Sequence, residues 1–116
     1  MNDQFNVSSE RLGDERGVVV LSGEVDLYTA PRFKECMLGL FDAGVVKLVV
    51  DLTEVSFIDS TALGVLIGGV RRANAGGGSM ALVVTSRPVE RVLAITGLDR
   101  VFTIHATRAA AVEALA

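Results

Sequence analysis

The sequence predicts an α/β domain whose sheet is largely parallel. Three runs that are almost wholly apolar, VVVL, VVKLVVDL and MALVVT, are typical of strands buried on both faces. Segments with apolar residues at helical spacing lie between them, and this alternation favours a sheet covered by helices. Because no repeat or linker divides the chain, we expect one domain over residues 1–116. Residues 1–16 should be weakly structured or form an edge strand, with a weak strand signal at residues 4–8.

The first half of the chain predicts a strand, a helix and a second strand. Residues 18–21 form the first strand. Thr29 and Pro31 favour a helix start, because threonine caps helices and proline fits a first turn. Gly44 should end this helix, and residues 45–52 form the central strand. The buried helix face is expected to carry Phe33, Met37, Leu40 and Phe41.

The second half predicts further strands and helices after the segment at residues 57–72. Residues 80–85 form a buried strand. Ser86 should cap a short helix that Gly97 ends. A last strand is expected at residues 101–104, and Thr107 should cap an alanine-rich helix at the end of the chain.

Charge and composition exclude several classes of function. Residues 1–59 hold eleven Asp/Glu and five Lys/Arg, whereas residues 60–116 hold three and six, so the halves carry −6 and +3. Without a dense basic stripe, nucleic acid is not an expected partner, and the uneven charge fits a surface that docks on another protein. Apolar runs are shorter than the roughly 20 residues that span a bilayer, and the N-terminus lacks signal-peptide features, so we expect a cytoplasmic protein without membrane contact.

The chain has one cysteine and one histidine, and neither suggests a metal site. Cys36 has no second cysteine for a disulfide and is expected on a packed helix face. His105 closes the apolar run VFTIH and is expected to be structural.

The segment FIDSTALGVLIGGVRR, residues 57–72, holds the candidate site. A helix that begins near Ser60 turns one apolar stripe to the sheet: Leu63, Leu66, Ile67 and Val70. A different face carries Ser60, Gly64, Gly68 and either Arg71 or Arg72. Each glycine costs the helix about 1 kcal/mol relative to alanine, which requires a reason. Close packing within the chain is one reason, and a bare strip for a partner's backbone is the one we favour.

Three roles are open to Ser60. It can cap the helix, as Asp59 equally can. As a nucleophile it is disfavoured, because Ile58 and Ala62 replace the glycines of the G-x-S-x-G motif and His105 alone is available as a base. As a phosphorylation site it would gain about −1.5 to −2 charges at a helix N-terminus, which tolerates them. That charge would repel a closely docked partner without a change of fold.

The sequence resembles the anti-sigma factor antagonists of the STAS domain family. The resemblance lies in four stretches: GEVDLYTAPRF (residues 23–33), LVVDLTEVSFIDSTALGVL (residues 48–66), the three glycines at residues 76–78 with the strand that follows them, and AITGLDRVF (residues 94–102). It covers nearly the whole chain from about Gly17. It implies a STAS-like mixed, largely parallel sheet of four or five strands, with about four helices mainly on one side.

The resemblance also implies a partner switch. The unmodified domain would bind an anti-sigma factor, a serine kinase, and release the sigma factor. The kinase would then phosphorylate Ser60, or alternatively its neighbour Thr61, and a phosphatase would restore binding. ATP and magnesium would belong to the kinase, so we expect no cofactor, no metal and no catalysis in this chain. The implied partner-binding residues are Asp26, Asp59, Ser60, Thr61, Gly64, Gly68 and Arg71.

One departure and one alternative accompany the resemblance. Ala62 stands where the family commonly has glycine, which would affect how closely a given kinase approaches. The alternative function is a STAS scaffold or ligand-sensing module that is never phosphorylated. We expect a monomer when the chain is free.

Overall fold

The computed structural model describes residues 4–115, so residues 1–3 and 116 of the predicted domain lie outside the described residues. The strands are β1 (Asn6–Arg11), β2 (Arg16–Val25), β3 (Lys47–Ile58), β4 (Ser79–Val83) and β5 (Thr103–His105). The helices are α1 (Ala30–Asp42), α2 (Ser60–Ala75), α3 (Arg87–Ile95) and α4 (Arg108–Ala114), and a 3-10 turn follows α3 at Leu98–Arg100.

The five strands form one sheet in the order β1-β2-β3-β4-β5. β1 runs antiparallel to β2 and the other neighbours are parallel, so the prediction of a mixed, largely parallel sheet is confirmed. The last residues of β2 and β3, Val25 and Ile58, are paired. Because parallel strands end at the same edge of a sheet, the loop after β2 lies beside the start of α2.

Helices cover the sheet unequally. The larger buried cluster packs α1, α2 and α3 against one face of the sheet. Leu48, Val50 and Leu52 of β3 belong to this cluster. The smaller cluster sets Ala111 and Leu115 against Val49 on the other face. Successive strand residues point to opposite faces, which explains this division. Three of the four described α-helices therefore share one side, as predicted. Within residues 4–115, no helix combines the length and apolar character needed to cross a membrane.

Several predicted helix boundaries hold and two predicted caps are wrong. Gly44 and Gly97 follow α1 and α3 with φ of +105° and +76°, the left-handed conformation that glycine adopts without steric cost. Thr107 caps α4 by accepting from Ala110 N at 3.1 Å. Thr29 and Ser86 occupy N-cap positions, but neither side chain makes a capping hydrogen bond.

The last strand begins later than predicted. Val101 and Phe102 donate their N–H groups to Leu98 O at 3.0 and 3.1 Å, which closes the 3-10 turn. Their N–H groups are thus engaged before the sheet begins, so β5 starts at Thr103.

The predicted sheet-facing stripe of α2 is buried except at one position. Ile67 is only partly buried at the edge of the core, whereas Leu63, Leu66 and Val70 are buried.

An ion pair fastens α4 to its face of the sheet. Asp51 is 5% exposed, and its Oδ2 accepts from Arg108 Nε at 2.8 Å. The other carboxylate oxygen accepts from Thr53 N at 2.9 Å and from the Thr53 hydroxyl. Burial alone would raise the pKa of the Asp51 carboxyl, but the bonds from Thr53 and Arg108 together outweigh it and lower that pKa.

We expect Arg108→Met to lower the free energy of unfolding by about 1–3 kcal/mol at pH 7, because a buried acceptor loses its charged donor. Because the pKa of the Asp51 carboxyl is lower in the folded state than in the unfolded chain, its ionised form stabilises the fold. This contribution is fully present above the ordinary pKa of about 3.9, and it is lost as pH falls through the folded-state pKa. The difference between variant and parent should therefore shrink below about pH 4. Urea titrations at pH 7 and pH 3 measure it, with the exposed Arg91→Met as control. An equal loss at both pH values would contradict the ion pair.

Candidate functional site

Asp59 joins the start of α2 to the loop that follows β2. Its Oδ1 accepts from Ala62 N at 3.0 Å, so Asp59 is the N-cap and Ser60 is the first helical residue. Its Oδ2 accepts from Leu27 N at 2.9 Å across 32 positions of sequence. Of the two caps that the sequence allowed, the structure uses the aspartate, which leaves the serine hydroxyl out of the capping bond.

The loop between β2 and α1 is held by its own polar side chains. Asp26 Oδ1 accepts from Tyr28 N and Thr29 N at 2.9 and 3.1 Å. Thr29 Oγ1 accepts from Asp26 N at 2.9 Å and donates to Glu24 O at 3.0 Å. These bonds explain why Thr29 does not cap α1. They also give Asp26 a positioning role within the loop that Asp59 anchors.

Three apolar side chains are exposed around this junction. We call Leu27, Tyr28 and Phe57 the apolar rim; they are 60%, 84% and 44% exposed. Leu27 donates its N–H to Asp59, and Phe57, near the end of β3, lies two residues before Asp59. Large apolar side chains that are exposed around one junction are typical of a protein-binding surface. The sequence alone did not predict the rim, because leucine, tyrosine and phenylalanine are residue types that are often buried.

The two candidate hydroxyls differ in accessibility. Ser60 is exposed, whereas Thr61 is partly buried and lines a groove between α1 and α2. Ala62, the departure from the family pattern, is 1% exposed. Its side chain therefore lies in the core and does not meet a partner directly.

The glycines of α2 fall into two kinds. A Cβ built on Gly64 or Gly68 would meet no atom within 4 Å beyond its chain neighbours and the local backbone of its own helix, and both residues are exposed. Close packing within the chain therefore does not explain these two glycines. It explains Gly69, which the sequence analysis did not single out: a Cβ there would lie 2.7 Å from Met37 Sδ and 3.0 Å from Met80 Sδ.

Neighbouring glycines should thus respond oppositely to the same substitution. We expect Gly68→Leu to raise the free energy of unfolding by up to about 1 kcal/mol, because leucine favours helix and the site is open. Gly69→Leu should lower it by about 1–3 kcal/mol or more, because the side chain is forced into a filled core. Thermal and urea unfolding of the two variants measure the difference. Equal stabilities would contradict the placement of α2.

A groove of about 290 Å³ runs between α1 and α2. We call it the α1–α2 groove, and its walls include Lys34, Leu38, Thr61, Gly64, Gly68 and Arg72. Arg72 donates to Asp42 Oδ1 at 3.1 Å and lies 5.4 Å from the centre of the Phe41 ring. Arg71, the arginine predicted to bind the partner, is exposed on α2 but is not part of this groove.

The remaining candidate residues lie apart from the junction. His105 is on β5, which β4 separates from β3, so the structure does not assemble a triad with Ser60. Cys36 is half-buried on α1 and packs against the core.

The comparison with known proteins decides the family. A family model described as the STAS domain matches residues 8–111. The chain belongs to the STAS domain family. An anti-sigma-B factor antagonist of Bacillus subtilis (strain 168) is 34% identical over 103 residues, which cover 88% of this chain and 94% of that protein.

Solved STAS structures share the whole fold. A crystal structure of an anti-sigma factor antagonist from Mycobacterium paratuberculosis has a TM-score of 0.86 at 27% identity and covers 97% of this chain and 94% of its own. The anti-sigma factor antagonist SpoIIAA in its unphosphorylated form has a TM-score of 0.79 at 25% identity, covering 95% and 94%. The expected STAS fold, with five strands and helices mainly on one side, is confirmed.

Proposed function

We propose that this STAS domain is an anti-sigma factor antagonist whose complex with an anti-sigma factor kinase is broken by phosphorylation of Ser60. The observation that carries the proposal is the exposed Ser60 at the start of α2, next to the apolar rim and tied to it through Asp59. The names of the relatives support the antagonist role. The phosphoswitch is supported by the geometry of the junction.

In the unmodified form, the junction is suited to close protein contact. The apolar rim offers exposed apolar surface, whose removal from water favours association. Tyr28, the most exposed of the three, belongs to a residue type enriched at binding hot spots. Beyond Ser60, the open Gly64 and Gly68 let a partner approach the helix backbone. Asp26 and Asp59 keep the loop and the helix start in a fixed relation.

Phosphorylation changes the charge of this surface and leaves the fold intact. Ser60 Oγ attacks the γ-phosphorus of ATP held by the kinase; ADP leaves, and the hydroxyl proton passes to a base on the kinase. The product carries about −1.5 to −2 charges next to the Asp59 carboxylate. The N-terminus of α2 tolerates the dianion. A partner that covers it must remove its water, which is costly without paired donors. The partner therefore leaves, and a phosphatase reverses the change.

Phosphorylation by a purified kinase tests the proposal. The chain is incubated with MgATP and each anti-sigma factor kinase encoded in the same genome, and the modified residue is located by mass spectrometry. We expect phosphate on Ser60, because its hydroxyl is the exposed one, and none on Ser60→Ala. Modification of Thr61 would move the switch by one residue. A chain that binds its partner yet stays unmodified would favour the unphosphorylated scaffold.

A further inference from the structure

The α1–α2 groove begins at Thr61, beside the phosphorylation site, and continues away from it along α2. From Thr61 to Arg72 it is about 16 Å long at 1.5 Å per residue. Its floor is bare because Gly64 and Gly68 carry no side chains, at a cost to the helix of about 1 kcal/mol each. Nothing among the described residues fills that space.

From this we infer that the groove receives an amphipathic helix of the anti-sigma factor, with carboxylates beside its apolar stripe. The inference rests on the proposed function, because it names the element of the partner that lies along α2. The groove contact is separate from the phosphorylation site, because Ser60 does not line the groove.

A helix fits this groove better than a strand or a small molecule. Both walls are helices, whose backbone groups are bonded internally, so an extended peptide would find no sheet edge to pair with. A helix satisfies its own backbone and needs only an apolar floor, which Leu38 and the two open glycines provide. At about 290 Å³ the groove is at the lower limit for small-ligand pockets, which are usually about 300–1,000 Å³.

Charge determines which helix fits. Among the described residues that line the groove, the charged ones are Lys34 and Arg72, both cations on opposite walls. Arg72 pairs with Asp42, but the two side chains are 47% and 72% exposed. An exposed pair contributes about 0–1 kcal/mol, so a partner carboxylate competes for Arg72 at little cost. A basic helix would meet two like charges and is disfavoured.

Two synthetic peptides of about 14 residues, long enough to span the groove, test this charge preference. Both carry the same leucine stripe; one has glutamates beside it and the other has lysines. Titrated into the ¹⁵N-labelled chain, the glutamate peptide should shift the amides of Thr61, Gly64 and Gly68 and bind at least tenfold more tightly. The double variant Lys34→Glu, Arg72→Glu should reverse the preference. Equal affinities, or shifts confined to other surfaces, would overturn the inference.

Filling the groove gives a second, independent test. Gly68→Leu should lower the affinity for the purified anti-sigma factor at least tenfold, while unfolding measurements show that the domain is intact. Gly39→Leu is the matched control, because Gly39 is an exposed α1 glycine outside the groove and its Cβ would also meet nothing within 4 Å. Unchanged binding by Gly68→Leu would remove the groove contact.

The two proposals fail separately. If Ser60→Asp weakens the complex and Gly68→Leu does not, the groove inference is wrong and the phosphoswitch stands. If the glutamate peptide occupies the groove but Ser60→Asp binds the anti-sigma factor as well as Ser60→Ala, the phosphoswitch is wrong and the groove stands. A concentration-dependent dimer that Gly68→Leu abolishes would assign the groove to a second copy of the chain and overturn the inference.

Discussion

Ser60→Asp is expected to bind the anti-sigma factor at least 100-fold more weakly than Ser60→Ala, a difference of about 2.7 kcal/mol. The aspartate places a carboxylate at the start of α2, next to Asp59 and the apolar rim, where a docked partner would strip its water. Alanine keeps the contact surface, because the Ser60 side chain is not the helix cap. Isothermal titration of both variants with the purified anti-sigma factor measures the ratio.

Ser79→Asp supplies the control for added charge. Ser79 is exposed at the first residue of β4, paired with Lys47 at the opposite end of the parallel sheet. The same change of net charge there should leave the affinity within about twofold, since exposed charges farther apart than the Debye length of about 8 Å are screened. Equal affinities of Ser60→Asp and Ser60→Ala would show that position 60 lies outside the interface.

Asp59→Ala is expected to lower the free energy of unfolding by about 2 kcal/mol. Loss of an N-cap costs about 0.5–2 kcal/mol, and the bond from Leu27 N is lost in addition. Because that bond holds the loop, the variant should also bind the anti-sigma factor more weakly, with the apolar rim no longer held beside Ser60. Urea unfolding measures the first effect and titration the second.

Ser60→Ala is the matched control for the cap. As the first helical residue, it should change the free energy of unfolding by no more than about 0.5 kcal/mol. If Ser60→Ala proved as destabilising as Asp59→Ala, the serine would be the cap, and its hydroxyl would be engaged in the fold.

Local patterns in the sequence predicted most of the elements. The almost wholly apolar runs at residues 45–52 and 80–85 predicted two buried strands, and both exist. Their bounds differ from the prediction, because β3 spans Lys47–Ile58 and β4 spans Ser79–Val83. Gly44 and Gly97 mark helix ends because few other residues adopt positive φ. The start of β5 was misplaced because the 3-10 turn at Leu98–Arg100 has no distinct sequence period.

Features that depend on tertiary contacts were not predictable from one sequence. The bond between Asp59 and Leu27 crosses 32 positions, so no local spacing reveals it. Gly68 and Gly69 are neighbours of the same residue type, and the positions of Met37 and Met80 distinguish the open glycine from the packed one.

The apolar rim was missed for a different reason. Leu27, Tyr28 and Phe57 are residue types usually counted toward a core, and only their exposure in the folded chain identifies them as a surface. Sequence reasoning thus located the candidate phosphorylation site, and the surface around it required the structure.

The most direct measurement uses the chain phosphorylated on Ser60 itself. A ¹⁵N-labelled sample is divided into modified and unmodified halves, and each is recorded alone and then titrated with the anti-sigma factor. We expect amide shifts confined to the start of α2 and the loop after β2, together with a loss of binding in the modified half. A modified chain that still binds, or one whose shifts extend through β4 and α3, would contradict a switch that works by local charge on an unchanged fold.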